Sequence, residues 1–267
     1  MAVSFTDKIL SVLFENEKQT LCYLSYLFFF WGASVLISLL TVTAPYGRYS
    51  RSGWGFFVPG KFAWLVQELP SFVCPLLVLF YSDSPKSNNF LNIFALSLFL
   101  LHYFQRTFIF PFLIRGGKPT PLIPFLMALI FCILNGYMQG AYILKFADLQ
   151  WTPGTSLRII AGTAIFFTGL LINLHSDHIL RNLRKSGETG YKIPYGGMFN
   201  YISGANFFGE MVEWFGFAIL NWTLPTMAFS VFTLCNVGPR AFQHHRWYKE
   251  KFDDYPRNRK ALIPFVL

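Results

Sequence analysis

Phe62-Ala63-Trp64-Leu65-Val66-Gln67-Glu68-Leu69-Pro70-Ser71-Phe72-Val73-Cys74-Pro75-Leu76-Leu77-Val78-Leu79-Phe80-Tyr81 is an apolar run with one acid in it. About 20 mostly apolar residues are enough to cross a bilayer as a helix. An ionisable side chain at membrane depth costs about 2.5–3.5 kcal/mol on insertion scales, so it faces a partner, a cavity or a ligand rather than lipid. Glu210 and Glu213 pose the same question in a later run that continues to Leu220. The reading that follows is a bundle of membrane helices with acids turned inward, at a site.

Composition agrees. The 267-residue chain is 54% hydrophobic and 13% charged, against about 25% charged for a soluble domain, and its mean hydropathy is +0.41. Further apolar runs fall near residues 20–44, 88–114, 121–147, 157–180, 205–222 and 224–243, most of them separated by Pro and Gly. The expected fold is therefore all-α: one domain over 1–267, a multi-pass membrane protein with seven transmembrane helices. The short turn around Asn221–Pro225 makes the last two runs antiparallel neighbours. No internal repeat is present.

The net charge of +9 would suggest nucleic acid in a soluble protein; here it reads as topology. With the N-terminus outside or lumenal and the C-terminus cytoplasmic, the cytoplasmic side holds Arg48, Arg51, Lys61, Arg115, Lys118, Arg181, Arg184, Lys185, Lys192 and seven basic residues from Arg240 to Lys260. That is 16 of 22 Lys and Arg, the bias of the positive-inside rule. The basic segment 181–204 and the tail then share one face, suited to anionic lipid headgroups or a phosphorylated cytosolic molecule. Asp7, Lys8, Glu15 and Glu17 precede the first run, unlike the short charged start of a cleaved signal peptide. Cys22, Cys74, Cys132 and Cys235 all lie in apolar runs without metal-ligand spacing.

Five constellations could carry chemistry. Trp64 and Glu68 share a helix face beside Gln67; Glu68 is either paired with Arg106 or a carboxyl aimed at a ligand. His102, Tyr103 and Arg106 stand at spacings of three and four, where an aromatic belt with a snorkelling Arg competes with a phenol that stabilises charge on a substrate oxygen. Asn173, Asp177, Arg181 and Arg184 form one stripe, in which the arginines alone would be ordinary membrane flanks but the Asn and Asp suit a ribose, amide or phosphate. Asn206, Glu210 and Glu213 share a face after the turn-rich Tyr191–Gly197. Arg240, His244 and Tyr248 stand four apart near His245, Tyr255, Arg257 and Arg259. No Gly-x-Gly-x-x-Gly or Walker pattern occurs, so any nucleotide needs a different arrangement. His175 and His178 have no acid or Cys to complete a metal set, and no metal is expected.

Together these segments resemble the steroid 5α-reductase family, the 3-oxo-5-alpha-steroid 4-dehydrogenases. The matching stretches are Trp64–Phe72, His102–Phe108, Asn173–Asp177, Ser203–Glu210, Arg240–Phe242 and Lys260–Pro264. They run in register from about residue 60 to the C-terminus, whereas the first helix matches by hydropathy alone. Gln105 stands where family members often carry His, and the tail has fewer histidines than some members.

The resemblance implies an NADPH-dependent membrane enzyme that reduces the 4,5 double bond of 3-oxo-4-ene steroids such as testosterone or progesterone. By motif position Glu68 and Tyr103 would bind the 3-keto oxygen as the catalytic pair, with Trp64 and Gln67 completing the substrate wall. Arg106, Asn173, Asp177, Arg184, Tyr191, Asn206, Glu210, Arg240, His244 and Tyr248 would hold NADPH, and Glu213 is a weaker candidate. The steroid would enter from lipid; membrane lipids are the expected surroundings, and no nucleic acid or second subunit is expected. The host membrane would be the endoplasmic reticulum in a eukaryote or the inner membrane in a bacterium. Reductases of enoyl thioesters or polyprenols would share the cofactor stripe and differ in the substrate wall. A membrane methyltransferase using S-adenosylmethionine is more distant, and a lipid transporter would want a midplane site and an inverted repeat.

Overall fold

The computed structural model describes residues 15–184, 188 and 190–267; Asp7, Lys8 and Lys185 lie outside the described residues. Seven long helices are found among them: α1 (Glu17–Thr41), α2 (Gly60–Tyr81), α3 (Phe90–Leu113), α4 (Leu122–Lys145), α5 (Pro153–Asn182), α6 (Ala205–Asn221) and α7 (Leu224–Lys251). Helices α1 to α5 are each long and apolar enough to cross a membrane. Helix α6 has 17 residues, and α7 becomes polar over its last turns. Large apolar side chains such as Phe30, Leu40, Phe80, Leu157 and Leu171 point outward. An outward apolar surface has no water-soluble use on this scale and suits lipid tails. The chain is a multi-pass helical membrane protein.

Local sequence sets the helix ends. Asn89 caps α3 by accepting from the backbone N–H groups of Leu91 and Asn92. Thr152 and Thr155 cap α5, and Thr223 and Thr226 cap α7, as reciprocal boxes with Pro153 at the first helical position and Pro225 at the second. At the end of α6, Trp222 takes the left-handed conformation (φ 53°) that reverses the chain into α7. Helix α7 runs past its apolar stretch to Lys251, so Arg240, His244 and Tyr248 sit on successive turns of one helix.

Two close helix contacts position the polar residues. Between α5 and α6, a Cβ added to Gly169 would lie 2.1 Å from the Glu213 backbone nitrogen, and one added to Gly209 would lie 2.4 Å from that of Asn173. Gly162 and Gly216 meet the facing backbone in the same way one level further along. Only residues without a side chain allow this approach. It sets Asn173 and Asp177 directly against Asn206 and Glu210. Between α2 and α4, Gly136 and Gly140 receive the backbone at Pro70 and Pro75. Those two prolines lie inside α2, where each removes a helical hydrogen bond, and Ser71 Oγ donates across to the Cys132 carbonyl at 3.1 Å.

Helix α3 contains a π-helical turn over Gln105–Ile109, a feature found often at functional sites. The core beneath it is aromatic: Phe99, Tyr103, Phe166, Trp214, Phe217 and Phe229 interlock, with Trp214 and Phe229 centroids 4.4 Å apart. A two-stranded pair, β1 (Phe57–Val58) and β2 (Thr120–Pro121), ties the 42–59 loop to the segment before α4. The tail closes the opposite loop: Arg259 Nη1 donates to the Pro194 carbonyl at 2.8 Å, and Ser203 Oγ lies 2.6 Å from both His245 Nδ1 and the Tyr255 hydroxyl.

Candidate functional site

Polar side chains converge along the interior in three connected groups. The first joins α2, α3 and α4. Gln67 Nε2 donates to Glu68 Oε1 at 3.2 Å, and Cys132 Sγ lies 3.8 Å from Glu68 Oε2. Asn135 Nδ2 donates to the Tyr103 hydroxyl at 3.3 Å. Tyr103 is 4% exposed and is wedged among Phe99, His102 and Trp214. The Trp64 ring stacks near Phe110. A neutral carboxyl and a phenol on adjacent helices can each donate a hydrogen bond to a carbonyl oxygen.

The second group is ionic. Arg106 is 7% exposed and projects from the π turn. Its Nη1 reaches Asp177 Oδ2 at 2.8 Å and its Nη2 reaches Glu210 Oε2 at 3.4 Å. Its guanidinium also lies over the Phe110 and Trp64 rings, at 4.6 and 5.5 Å. Arg106 therefore pairs with the two acids of the α5–α6 contact, while Glu68 takes a hydrogen bond from Gln67. Beside this group His102 Nδ1 lies 2.8 Å from Glu213 Oε1, and Glu213 is wholly buried. Asn173 Nδ2 donates to the Asn206 carbonyl at 2.9 Å. Its Oδ1 is buried without a hydrogen-bond partner among the described residues.

The third group is basic and sits at the Arg240 end of α7. Arg240 lies over the Tyr46 and Phe207 rings at 4.8 and 4.6 Å, with one long hydrogen bond to Asn236. His244 packs between Tyr49 and Phe207. Tyr248 is engaged from two sides: Arg48 Nη2 donates to its hydroxyl at 3.0 Å, and its ring stacks on Tyr255. Arg184 lies over the Tyr191 ring at 5.7 Å, and Tyr191 meets Trp247. A cavity of about 90 Å³ is lined by Tyr46, Arg48, Tyr49, Arg240, Gln243 and His244, among others.

The residues expected for NADPH thus fall in two of these groups, and the donors there suit an anionic ligand. Among the described residues, Arg240 has no carboxylate partner, Arg48 Nη1 is buried without a hydrogen-bond partner, and the Asn173 amide oxygen is likewise unmet. Buried polar atoms of this kind need an explanation, and a phosphate- and amide-bearing cofactor supplies complementary groups. The cavity is the size of one phosphate-like group rather than of a dinucleotide.

Three contributors lie outside the sequence expectation. Tyr46, Arg48 and Tyr49 come from the 42–59 loop, which folds over α7. Burial pushes the Tyr46 phenol up, opposed chiefly by the Arg240 guanidinium, and the charges it feels include Glu210, Glu68 and Arg106. Tyr46 therefore touches the basic group at Arg240 and feels the charge of the acids. Burial likewise pushes Tyr49 up to about 12, against the opposing charge of Arg48. Asn135 and Gln139 were silent for a different reason: amides within an apolar run look like helix–helix glue. The aromatic and basic character of Tyr46-Gly47-Arg48-Tyr49 is the one local signal that could have drawn attention to the loop.

Comparison with known proteins gives a consistent result. The family model described as 3-oxo-5-alpha-steroid 4-dehydrogenase matches residues 118–267. The chain is 51% identical over 253 residues to 3-oxo-5-alpha-steroid 4-dehydrogenase 1 of Bos taurus, covering 94% of this chain and 98% of that protein. It is 45% identical over 250 residues to the Homo sapiens protein of the same name, covering 94% and 96%. Against 3-oxo-5-alpha-steroid 4-dehydrogenase 2 of Homo sapiens it is 45% identical over 249 residues, covering 88% and 95%. The similarity reaches well into the first 60 residues, further than the motifs alone extend.

Proposed function

The chain belongs to the 3-oxo-5-alpha-steroid 4-dehydrogenase family of oxidoreductases, and from that premise we propose that it reduces the 4,5 double bond of 3-oxo-4-ene steroids with NADPH. The observation that carries the reading is that Glu68 and Tyr103, from α2 and α3, both reach neighbouring residues of α4, Cys132 and Asn135, close to the buried Arg106–Asp177–Glu210 cluster.

When bound, NADPH supplies a hydride to carbon 5, the β carbon of the enone. The electron pair of the double bond then moves toward the 3-keto oxygen. Glu68, in its protonated form, and the Tyr103 hydroxyl donate to that oxygen and stabilise the enolate-like charge as it develops. Protonation at carbon 4 completes the reduction. Gln67 holds Glu68 Oε1 and so fixes the plane of the carboxyl. Trp64 forms part of the apolar wall, and the surrounding aromatic core excludes water.

On this reading Arg240, His244, Tyr191 and Arg184 face the charged part of the cofactor. Arg106, Asn173, Asp177, Asn206 and Glu210 hold its polar groups nearer the reacting end. Tyr248 acts on the charged part of the cofactor through Arg48. The whole chain forms a single seven-helix domain, with α6 and α7 as the sixth and seventh spans, the N-terminus lumenal and the tail cytosolic. The charge bias of the loops supports that orientation. The protein works as a monomer in the endoplasmic reticulum of a eukaryotic cell, or in a bacterial inner membrane, and takes its steroid from the lipid phase.

The test is turnover of testosterone or progesterone by detergent-purified protein with NADPH deuterated at the transferable position. Deuterium at carbon 5 of a 5α-dihydro product is the expected outcome. NADPH binding without steroid reduction would redirect the assignment to enoyl or polyprenol substrates, and absence of both would remove the cofactor assignment.

A further inference from the structure

The orientation of the Tyr103 hydroxyl is settled by a chain of amides that reaches it from α7. The Pro225 carbonyl can only accept, and Gln139 Nε2 donates to it at 3.0 Å. The same nitrogen donates to Asn135 Oδ1 at 3.2 Å, one helical turn away on α4. With its oxygen toward Gln139, Asn135 presents Nδ2 to Tyr103, 3.3 Å from the hydroxyl oxygen. Reversing Gln139 would set two acceptors against each other at the Pro225 carbonyl, and reversing Asn135 would set two donors against each other, so the network has one consistent assignment. Both amides are wholly buried, where no water can exchange for a lost partner.

Tyr103 is therefore an acceptor on its Asn135 side. Its own proton is left for the other side, toward Glu68 and Ser71. Ser71 gives its hydroxyl proton to the Cys132 carbonyl at 3.1 Å, so that proton is not aimed at the phenol oxygen. A bond received at the phenol oxygen also strengthens the bond that phenol can give.

We propose that Asn135, held by Gln139, is a positioning residue for the reduction: it reserves the Tyr103 proton for the substrate carbonyl. This rests on Tyr103 acting as a donor to the 3-keto oxygen. Asn135→Asp keeps the shape but turns an acceptor toward Tyr103, which draws the phenol proton away from the substrate.

The test is a double-mutant cycle on the full chain in detergent, with testosterone and NADPH as probes. Tyr103→Phe is expected to lower kcat on the order of 100-fold, as for removal of one oxyanion donor. Asn135→Asp is expected to lower kcat by about 10-fold or more, with the KM for NADPH unchanged. The double variant should be no slower than Tyr103→Phe alone, because the two act through one proton. Asn135→Ala, which removes the donor without adding an acceptor, should lose only about 3- to 10-fold, and it serves if the Asp variant does not fold. Losses that multiply in the double variant, or wild-type kcat in both Asn135 variants while Tyr103→Phe is slow, would overturn the relay and leave Tyr103's role standing. Wild-type kcat in Tyr103→Phe would overturn both.

Discussion

In the proposed mechanism the chemistry turns on Glu68, and its surroundings explain why a membrane helix tolerates it. It sits between Gln67 and Cys132 on the inner side of α2, away from lipid. The three other acids inside the bundle, Asp177, Glu210 and Glu213, each have a cationic or histidine partner. Glu68 has only neutral hydrogen-bonding contacts among those described, which suits a carboxyl that must give a proton-sharing bond to a ketone. Glu68→Gln keeps a donor at the same place but is a weaker hydrogen-bond acid. The expected result is a fall in kcat of at least about 10-fold, with NADPH affinity unchanged, measured by steady-state turnover alongside cofactor titration. Unchanged turnover would take Glu68 out of the mechanism. The same scale explains what was legible early: Trp64, Gln67, Glu68 and Tyr103 stand out because polar or amphipathic groups are costly in an apolar run. Tyr46 and Arg48 do not stand out, because in a loop they cost nothing.

Among the elements, the α5–α6 contact does most to assemble the ionic group. Arg106 meets Asp177 from α5 and Glu210 from α6 only because those two helices approach to backbone contact at Gly169 and Gly209. A methyl group at Gly209 would fall 2.4 Å from the Asn173 nitrogen and 2.8 Å from its Cα. Backbone cannot move aside as a side chain can, so Gly209→Ala must push the helices apart. Overpacking of this kind costs about 1–3 kcal/mol or more. The expected outcome is a lower unfolding temperature in detergent and weakened NADPH binding together, read by thermal-shift and titration on the same preparation. A variant with wild-type values for both would mean that the two helices can separate without disturbing the Asp177 and Glu210 carboxylates. The π turn at Gln105–Ile109 is a second such device, since it is the segment that carries Arg106.

On the scale of the whole molecule, the bundle separates its chemistry along one axis. Tyr103 lies within the apolar core with Glu68 on the inner side of α2, and the basic aromatic group gathers around α7, the 42–59 loop and the tail. The division suits an apolar substrate and a multiply charged cofactor approaching from different phases. It also predicts topology: single-cysteine labelling at residue 83, between α2 and α3, and at residue 257, in the tail, should report opposite sides of the membrane. Labelling of both from the same side would refute seven spans with a lumenal N-terminus.

What the sequence determined by itself was the class of fold, the run boundaries to within a few residues and the identity of most polar interior groups. The reason is energetic: burying Glu68, Arg106, Asn173, Asp177 or Glu210 in lipid is so costly that their presence in apolar runs already declares an interior. Helix α7 outran its apolar stretch because charged, helix-favouring residues continue the helix beyond the hydrophobic segment. Pairing was decided only by tertiary structure. Whether Arg106 would answer Glu68 or Asp177 and Glu210 depended on glycines that let two helices touch, and whether Tyr103 accepts or donates depended on Pro225, 122 positions away in the chain. Periodicity reports which face of a helix is polar. Distances between faces on different helices are set by packing, and hydrogen-bond direction is set by the one carbonyl in the network that has no choice.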